Sequence, residues 1–427
     1  MTIPGYLSSA LIVQMLLLVL AGCTAGGDSD GVDAVRQSAS GLIVAADSVL
    51  RAAVEEGVVP GAVLAVSRGG EILHRKAYGF ARLYEFGGER LADPEPMSVD
   101  HVFDVASLTK VFATTFGMMI LVDRGEVDLD APVSEYLPAF SGPHKDSILV
   151  RHLLTHGAGL FPWKPVYYHA RNQQEAFAYI RGLPTAYPVG RERHYSDLGF
   201  MLLGYLIEER TGRSIGAFLR EELYLPMGLT RTTYVPRAHG VEGRFAATSH
   251  GNPFERRMVY DDDFGYRVDE DPEAFDGWRN YVLAGEVNDG NAYYAHGGIA
   301  GHAGLFSTAD ELLALLELLL QKGVFKGRRY FSESVADTFL TEAAFGNGLG
   351  WAMSAGILRI EDPPAGTFGH TGFTGTYAAA LPSEGLAIVL LTNRQNLGVG
   401  PDGRYNSLDR LRAEVGSAVI ASAKEGE

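Results

Sequence analysis

Phe103-Asp-Val-Ala-Ser107-Leu-Thr-Lys110 opens an apolar helical stretch, 107–124, that stops at Gly125. Residues three apart on a helix share a face, so this spacing sets the Ser107 hydroxyl beside the Lys110 amine. The pairing has chemical meaning, because a serine hydroxyl is a poor nucleophile until a neighbouring base takes its proton. Lysine, with an ordinary pKa of ~10.4, can be that base only where burial or nearby cations depress the value. A helix N-terminus carries roughly half a positive charge, which disfavours the ammonium and favours an oxyanion. The tetrad alone is weak, since it arises by chance in most large proteins.

Upstream, Leu42, Ile43, Ala46, Val49, Leu50, Ala53 and Val54 recur at helical spacing before Gly57. Two apolar runs, 61–67 and 71–78, flank Arg68-Gly69-Gly70 and read as a β-hairpin. Downstream, the pattern over 126–330 is mostly helical, clearest at 198–210 and 310–322. Strand patterns return at 376–381 and 386–392, and an amphipathic helix closes the chain over 408–423. This order predicts an α+β fold: an antiparallel sheet built from both chain ends, with flanking helices plus an inserted all-helical lobe. The expected α/β lobe is 41–106 with 345–423, and the helical lobe 107–344, together a catalytic domain over 41–423.

Composition removes other classes. The 427 residues hold 36 Lys+Arg against 52 Asp+Glu, a formal charge of −16, so no basic face for nucleic acid is expected. One cysteine excludes an internal disulfide framework and a Cys-based zinc site. There is no Gly-x-Ser-x-Gly, no His-Glu-x-x-His and no Gly-Lys dipeptide, so α/β-hydrolase elbow, zincin and P-loop readings fail.

The N-terminal segment has its own logic. Leu11–Leu20 is an apolar run of ten residues, too short to span a bilayer and right for a signal-peptide core. Leu20-Ala21-Gly22-Cys23 resembles the bacterial lipoprotein box, although no Lys or Arg precedes the apolar run. The resemblance implies a signal peptide over 1–22, acylation of Cys23, a Gly/Ser/Asp tether over 23–40 and an envelope protein facing the periplasm or cell surface. Thr24 after the cysteine favours, by resemblance, the outer membrane of a two-membrane bacterium.

Three further segments resemble one family. Tyr195-Ser196-Asp197 resembles the Y-x-N element of class C β-lactamases and penicillin-binding proteins. His370-Thr371-Gly372 resembles their K-T-G element in its H-T-G form. Arg151-His-Leu-Leu-Thr-His156-Gly-Ala-Gly-Leu160 resembles another segment of that superfamily, and the order of the motifs matches over roughly 38–423.

The resemblance implies a serine hydrolase that needs no cofactor and no metal. In it Ser107 is the nucleophile, Lys110 activates it, Tyr195 shares the base role and protonates the leaving group, and His370 completes the catalytic set. The backbone N–H groups of Ser107 and Phe373 form the oxyanion hole. Asp197, Thr371, Gly372 and Asn393 contact substrate.

Two departures from the family pattern matter. Asp197 replaces an amide donor with a carboxylate, which cannot donate to a substrate carbonyl but can stabilise a cationic Lys110. His370 replaces a fixed cation with an imidazole mostly neutral at pH 7, so weaker carboxylate binding, and better activity on esters or less anionic amides, is expected. A narrower resemblance joins Glu286-Val-Asn-Asp289-Gly290-Asn291 and Gly297–Ser307 to cell-wall members of this fold, including muramoyl-peptide amidases. That implies a small-molecule or peptidoglycan-derived substrate. His302 there is either a site residue or a histidine packed in a Gly-rich loop. The alternative function is a penicillin-binding or sensor lipoprotein that acylates and stalls.

Remaining features read as structure. His152 and His156 lack an acidic third partner for a metal. The acidic stretch 261–276, with six Asp and two Glu, lacks EF-hand spacing. Trp163, Tyr167 and Tyr168 either wall the cleft or fill the core, and 312–320 is core helix. Oligomeric state is not readable.

Overall fold

The structure, a computed structural model, describes residues 44–241, 243–353, 356 and 362–425. The expected signal peptide, Cys23 and the tether lie outside the described residues. Among the described residues, no helix is long and apolar enough to cross a membrane.

The central sheet has six antiparallel strands in the order β11-β12-β13-β1-β2-β3. Its members are β1 (Gly61–Arg68), β2 (Glu71–Tyr84), β3 (Arg90–Pro96), β11 (Phe368–Thr371), β12 (Tyr377–Leu381) and β13 (Leu386–Thr392). The seam between the two chain ends is β1 against β13, with Val63 opposite Leu391 and Ala65 opposite Val389. Successive side chains of a strand point to opposite faces, and here both faces are covered. Ala62, Leu64 and Val66 pack with Ile388 and Leu390 under helix α1 (residues 44–55) and helix α5 (Asp409–Glu425). Val63, Ala65, Val389 and Leu391 face the main core with the inserted segment. Burial on both sides explains why these strands are continuous apolar runs rather than alternating ones.

Two helical elements position the site and a third fills the core beneath the sheet. Helix α2 begins as a π-helical segment, Lys110–Thr115, and continues as Phe116–Asp123. Helix α3 (Asp197–Thr211) is capped by Ser196, whose hydroxyl accepts from the Gly199 N–H, and ends at Gly212 in the left-handed region. Helix α4 (Ala309–Leu320) is the predicted core helix, with Leu312, Leu315 and Leu316 fully buried.

The inserted segment is not wholly helical. It contributes β8 (Leu305–Ser307) and β5 (Thr233–Tyr234) to a three-stranded sheet of order β4-β8-β5, whose β4 (Phe103–Asp104) comes just ahead of it. It also carries the pairs β6 (Ala247–His250) with β7 (Val282–Ala284), and β9 (Val324–Phe325) with β10 (Arg328–Arg329). Strands of two to four residues are too short to display a period-two pattern, and long-range pairing alone makes them strands. β3 also escapes a pattern search, because its charged, Pro-ended sequence is that of an edge strand.

Candidate active site

The chain reaches Ser107 through a strained turn. After β4, Ala106 adopts φ +47°, an uncommon conformation for a residue with a Cβ. Asp104 holds it there: Oδ1 accepts from the Ala106 N–H at 2.9 Å, and Oδ2 accepts from the Asn288 N–H at 2.6 Å. Burial pushes the Asp104 carboxyl up to about 6, against the lowering effect of those two donors. Ser107 is thus presented in the turn that leads into helix α2, while Lys110, the first residue of that helix, is fully buried.

The Lys110 ammonium donates to Ser107 Oγ at 3.0 Å and to the His302 carbonyl at 3.0 Å. Asp197 Oδ1 lies 2.8 Å away but off the line of a hydrogen bond, so charge dominates that contact. Burial acts to lower the lysine pKa, yet Asp197 and then Tyr195 outweigh it and hold the value above its ordinary 10.5. This reverses the expectation from burial and helix dipole: the carboxylate at 197 fixes a cation. Asp197, expected at the substrate, pairs with Lys110 and is not among the residues that line the cleft.

Tyr195 reaches both Ser107 and Lys110 through its hydroxyl, with Lys110 Nζ 5.0 Å from the ring centroid. Burial raises its pKa, Asp197 adds to the rise, and Lys110 opposes it. His156 buttresses the ring at 4.4 Å between centroids, and its Nδ1 accepts from the Ser196 N–H at 3.0 Å. The role of the Arg151–Leu160 segment is therefore positional. No group of three His, Cys, Asp or Glu among the described residues is arranged to hold a metal ion.

The far wall is β11, the edge strand of the sheet, which Ala352 bridges at Gly369. His370 on β11 hydrogen-bonds through Nδ1 to the Thr371 carbonyl at 2.8 Å, and its ring lies 5.9 Å from that of Tyr195. Burial and then Lys110 push the imidazole down to about 3, so it is neutral at physiological pH. Thr371, Gly372 and Phe373 follow along the cleft. Gly372 cannot carry a side chain: a Cβ would stand 2.0 Å from Thr376 Oγ1 and 2.4 Å from the Val105 carbonyl. The same contact docks the sheet edge on the nucleophile turn, because Thr376 Oγ1 donates to Val105 O at 3.0 Å and Thr374 Oγ1 to Asp104 O at 2.8 Å. Among the described residues, the N–H groups of Ser107 and Phe373 donate to no acceptor, and both residues line the cleft.

Asn393 does not join them. It is buried beside β2, donating from Nδ2 to the Phe80 and Ala81 carbonyls at 3.1 and 2.9 Å, so its amide serves the sheet rather than a substrate. The next residue, Arg394, lines the cleft instead. Trp163 and Tyr167 are core residues.

His302 contributes in an unforeseen way: its carbonyl holds Lys110, while Nε2 pairs with Asp289 Oδ1 at 2.9 Å. Burial would raise the Asp289 pKa, but His302, followed by the Ala292 N–H and then Lys110, holds it at about 2. The second-layer groups Asp104, His156 and Asp289 were all inside quoted motifs; no spacing rule singles them out, because their partners come from distant segments. The cleft encloses about 550 Å³, within the range of small-molecule sites.

A profile of the family described as Beta-lactamase matches residues 46–412. An N-acetylmuramyl-L-alanine amidase of Bacillus subtilis strain 168 is 35% identical over 379 residues, covering 84% of this chain and 82% of that one. An Escherichia coli O157:H7 protein, provisionally named D-alanyl-D-alanine carboxypeptidase, is 30% identical over 358 residues, 78% of each chain. Among solved structures, a penicillin-binding protein homologue from Caulobacter crescentus superposes with TM-score 0.63 at 21% identity, covering 93% of this chain and 99% of that one.

Proposed function

The chain belongs to the beta-lactamase family and is a serine hydrolase; from that premise we propose that it cleaves the amide of a peptidoglycan-derived muramoyl peptide through an acyl-enzyme on Ser107. The observation that carries the site assignment is the 3.0 Å contact between Ser107 Oγ and Lys110 Nζ at the floor of the cleft. The substrate class is supported by the identity shared with the Bacillus subtilis amidase across most of both chains.

In the proposed cycle Ser107 Oγ attacks the carbonyl carbon while its proton passes to the coupled Lys110–Tyr195 unit. The Ser107 and Phe373 N–H groups receive the oxyanion. The C–N bond then breaks, Tyr195 delivers the proton to the departing amine, and an ester to Ser107 remains. A water molecule, deprotonated by the same unit, attacks that ester and releases the carboxylic acid and the free serine. His370, Thr371 and Gly372 border the acyl chain.

A substrate panel tests the reading. A muramoyl peptide should be turned over with kcat/KM at least about tenfold above a D-Ala-D-Ala-terminated peptide and nitrocefin, in steady state, releasing an acid and a free α-amine. A higher rate on the D-Ala-D-Ala peptide would replace the substrate assignment with carboxypeptidase activity. A stoichiometric burst without turnover would replace the enzyme by the acylating sensor.

The proposal extends to the leader: Cys23 is the acylated N-terminus of the mature protein, which faces the periplasm or cell surface. Leu20-Ala21-Gly22-Cys23 and the preceding apolar run support this. In a bacterial host, wild-type protein should incorporate alkyne-palmitate and sediment with membranes. Cys23→Ser should do neither, and equal labelling of the two would remove the anchor.

A further inference from the structure

We propose that Arg193 recognises a carboxylate on the leaving-group side of the scissile bond, so that this cleft selects anionic substrates. The inference deepens the hydrolase reading above and rests on it. The chain carries a formal charge of −16, yet three guanidiniums, Arg193, Arg394 and Arg412, line the cleft and no described lining residue is acidic. The neutral His370 therefore does not leave the site without positive charge, contrary to the expectation from position 370 alone.

Arg394 and Arg412 have work within the fold. Arg394 donates to the Phe373 carbonyl at 2.7 Å and to the Asn406 carbonyl at 2.7 Å. Arg412 donates to the Thr376 carbonyl at 3.4 Å and lies 3.6 Å from Asp409. Lys110 is neutralised by Asp197 at 2.8 Å.

Arg193 differs from all of these. Among the described residues it has no hydrogen-bond acceptor and no carboxylate within ion-pair distance. Its sequence neighbour Glu192 is engaged by His194 at 2.9 Å. Arg193 is an exposed residue at the rim of the cleft, where partial burial lowers its pKa and Tyr195 acts against that.

An unmatched guanidinium is a fork of donors suited to a carboxylate, and like charges converging on a cleft draw anions in. Position gives the polarity. The Arg193 Cζ lies 5.8 Å from the centroid of the Tyr195 ring. Because Tyr195 protonates the departing group, Arg193 stands on the departing side. The substrate class is an amide or ester whose leaving amine or alcohol bears a carboxylate, such as an acidic peptide.

Two aryl esters sharing one acyl group, with phenol or m-hydroxybenzoate as leaving group, separate the possibilities. The readout is the ratio of kcat/KM for the anionic over the neutral ester in wild type, Arg193→Ala and Arg193→Lys. The ratio should fall at least about tenfold in Arg193→Ala, chiefly through KM, and recover partly in Arg193→Lys. A ratio within twofold of wild type in Arg193→Ala, with both esters cleaved by the wild type, overturns this proposal and leaves the hydrolase intact. Failure of the wild type to cleave either ester overturns the hydrolase reading, and the role of Arg193 falls with it.

Discussion

Replacing Ser107 with alanine should lower turnover by about 10⁴- to 10⁶-fold, the scale on which removal of a serine nucleophile acts. The covalent route disappears with the oxygen, whereas the cleft, its two free N–H groups and the cationic Lys110 persist. The structural cost is small, because Ser107 is partly exposed and its hydroxyl gives up only the 3.0 Å bond from Lys110 and the approach of the Tyr195 hydroxyl. Wild-type protein should take a fluorophosphonate label at one site and Ser107→Ala should take none, with thermal midpoints a few degrees apart at most. Labelling of the alanine variant, or turnover within tenfold of wild type, would move the nucleophile elsewhere.

Asp197→Asn should produce the second large effect, visible in both pH profile and stability. The carboxylate raises the pKa of Lys110 and also that of Tyr195. The unit that must accept the serine proton therefore holds its own proton through neutral pH, and wild-type kcat/KM should climb into the alkaline range. Asparagine removes the charge, so the rising limb should move to lower pH by about one unit or more.

Stability follows the sign of the same shift. A lysine whose folded pKa lies above the unfolded value contributes stability that is complete below the unfolded value. That contribution is lost only as pH rises through the folded one. The variant should accordingly be weaker across neutral pH, by about 2–4 kcal/mol, since a buried ammonium is left without its counter-charge. An unshifted limb together with an unchanged denaturation midpoint would mean that the 2.8 Å pair has no energetic role.

Much of the architecture was legible from local patterns. The 61–78 hairpin, the returning strands at 376–392 and the helix over 309–320 are long enough for apolar periodicity to appear, and their positions at opposite chain ends imply the shared sheet. The short strands β4, β5 and β8 were not legible, because each exists only by pairing with a segment far away in the chain. The site divided in the same way. Ser107, Lys110, Tyr195, His370, Thr371 and Gly372 sit within recognisable tetrads and triads. Asn393 sat equally well in a motif, but its side chain turns to the Phe80 and Ala81 carbonyls, a direction that a one-dimensional pattern does not encode.

What the order of residues settled is the chemical inventory: a hydroxyl and an amine three positions apart, a phenol and an imidazole in recognisable settings, and apolar runs to build the sheet. Protonation and charge balance came from folding, because those depend on which groups end up within a few ångströms once water is excluded. Asp197 reaches Lys110 from a different helix, Asp289 meets His302, and three arginines from separate segments converge on the cleft. Electrostatic energy varies inversely with distance and with the surrounding dielectric, and the three-dimensional packing of the chain sets both.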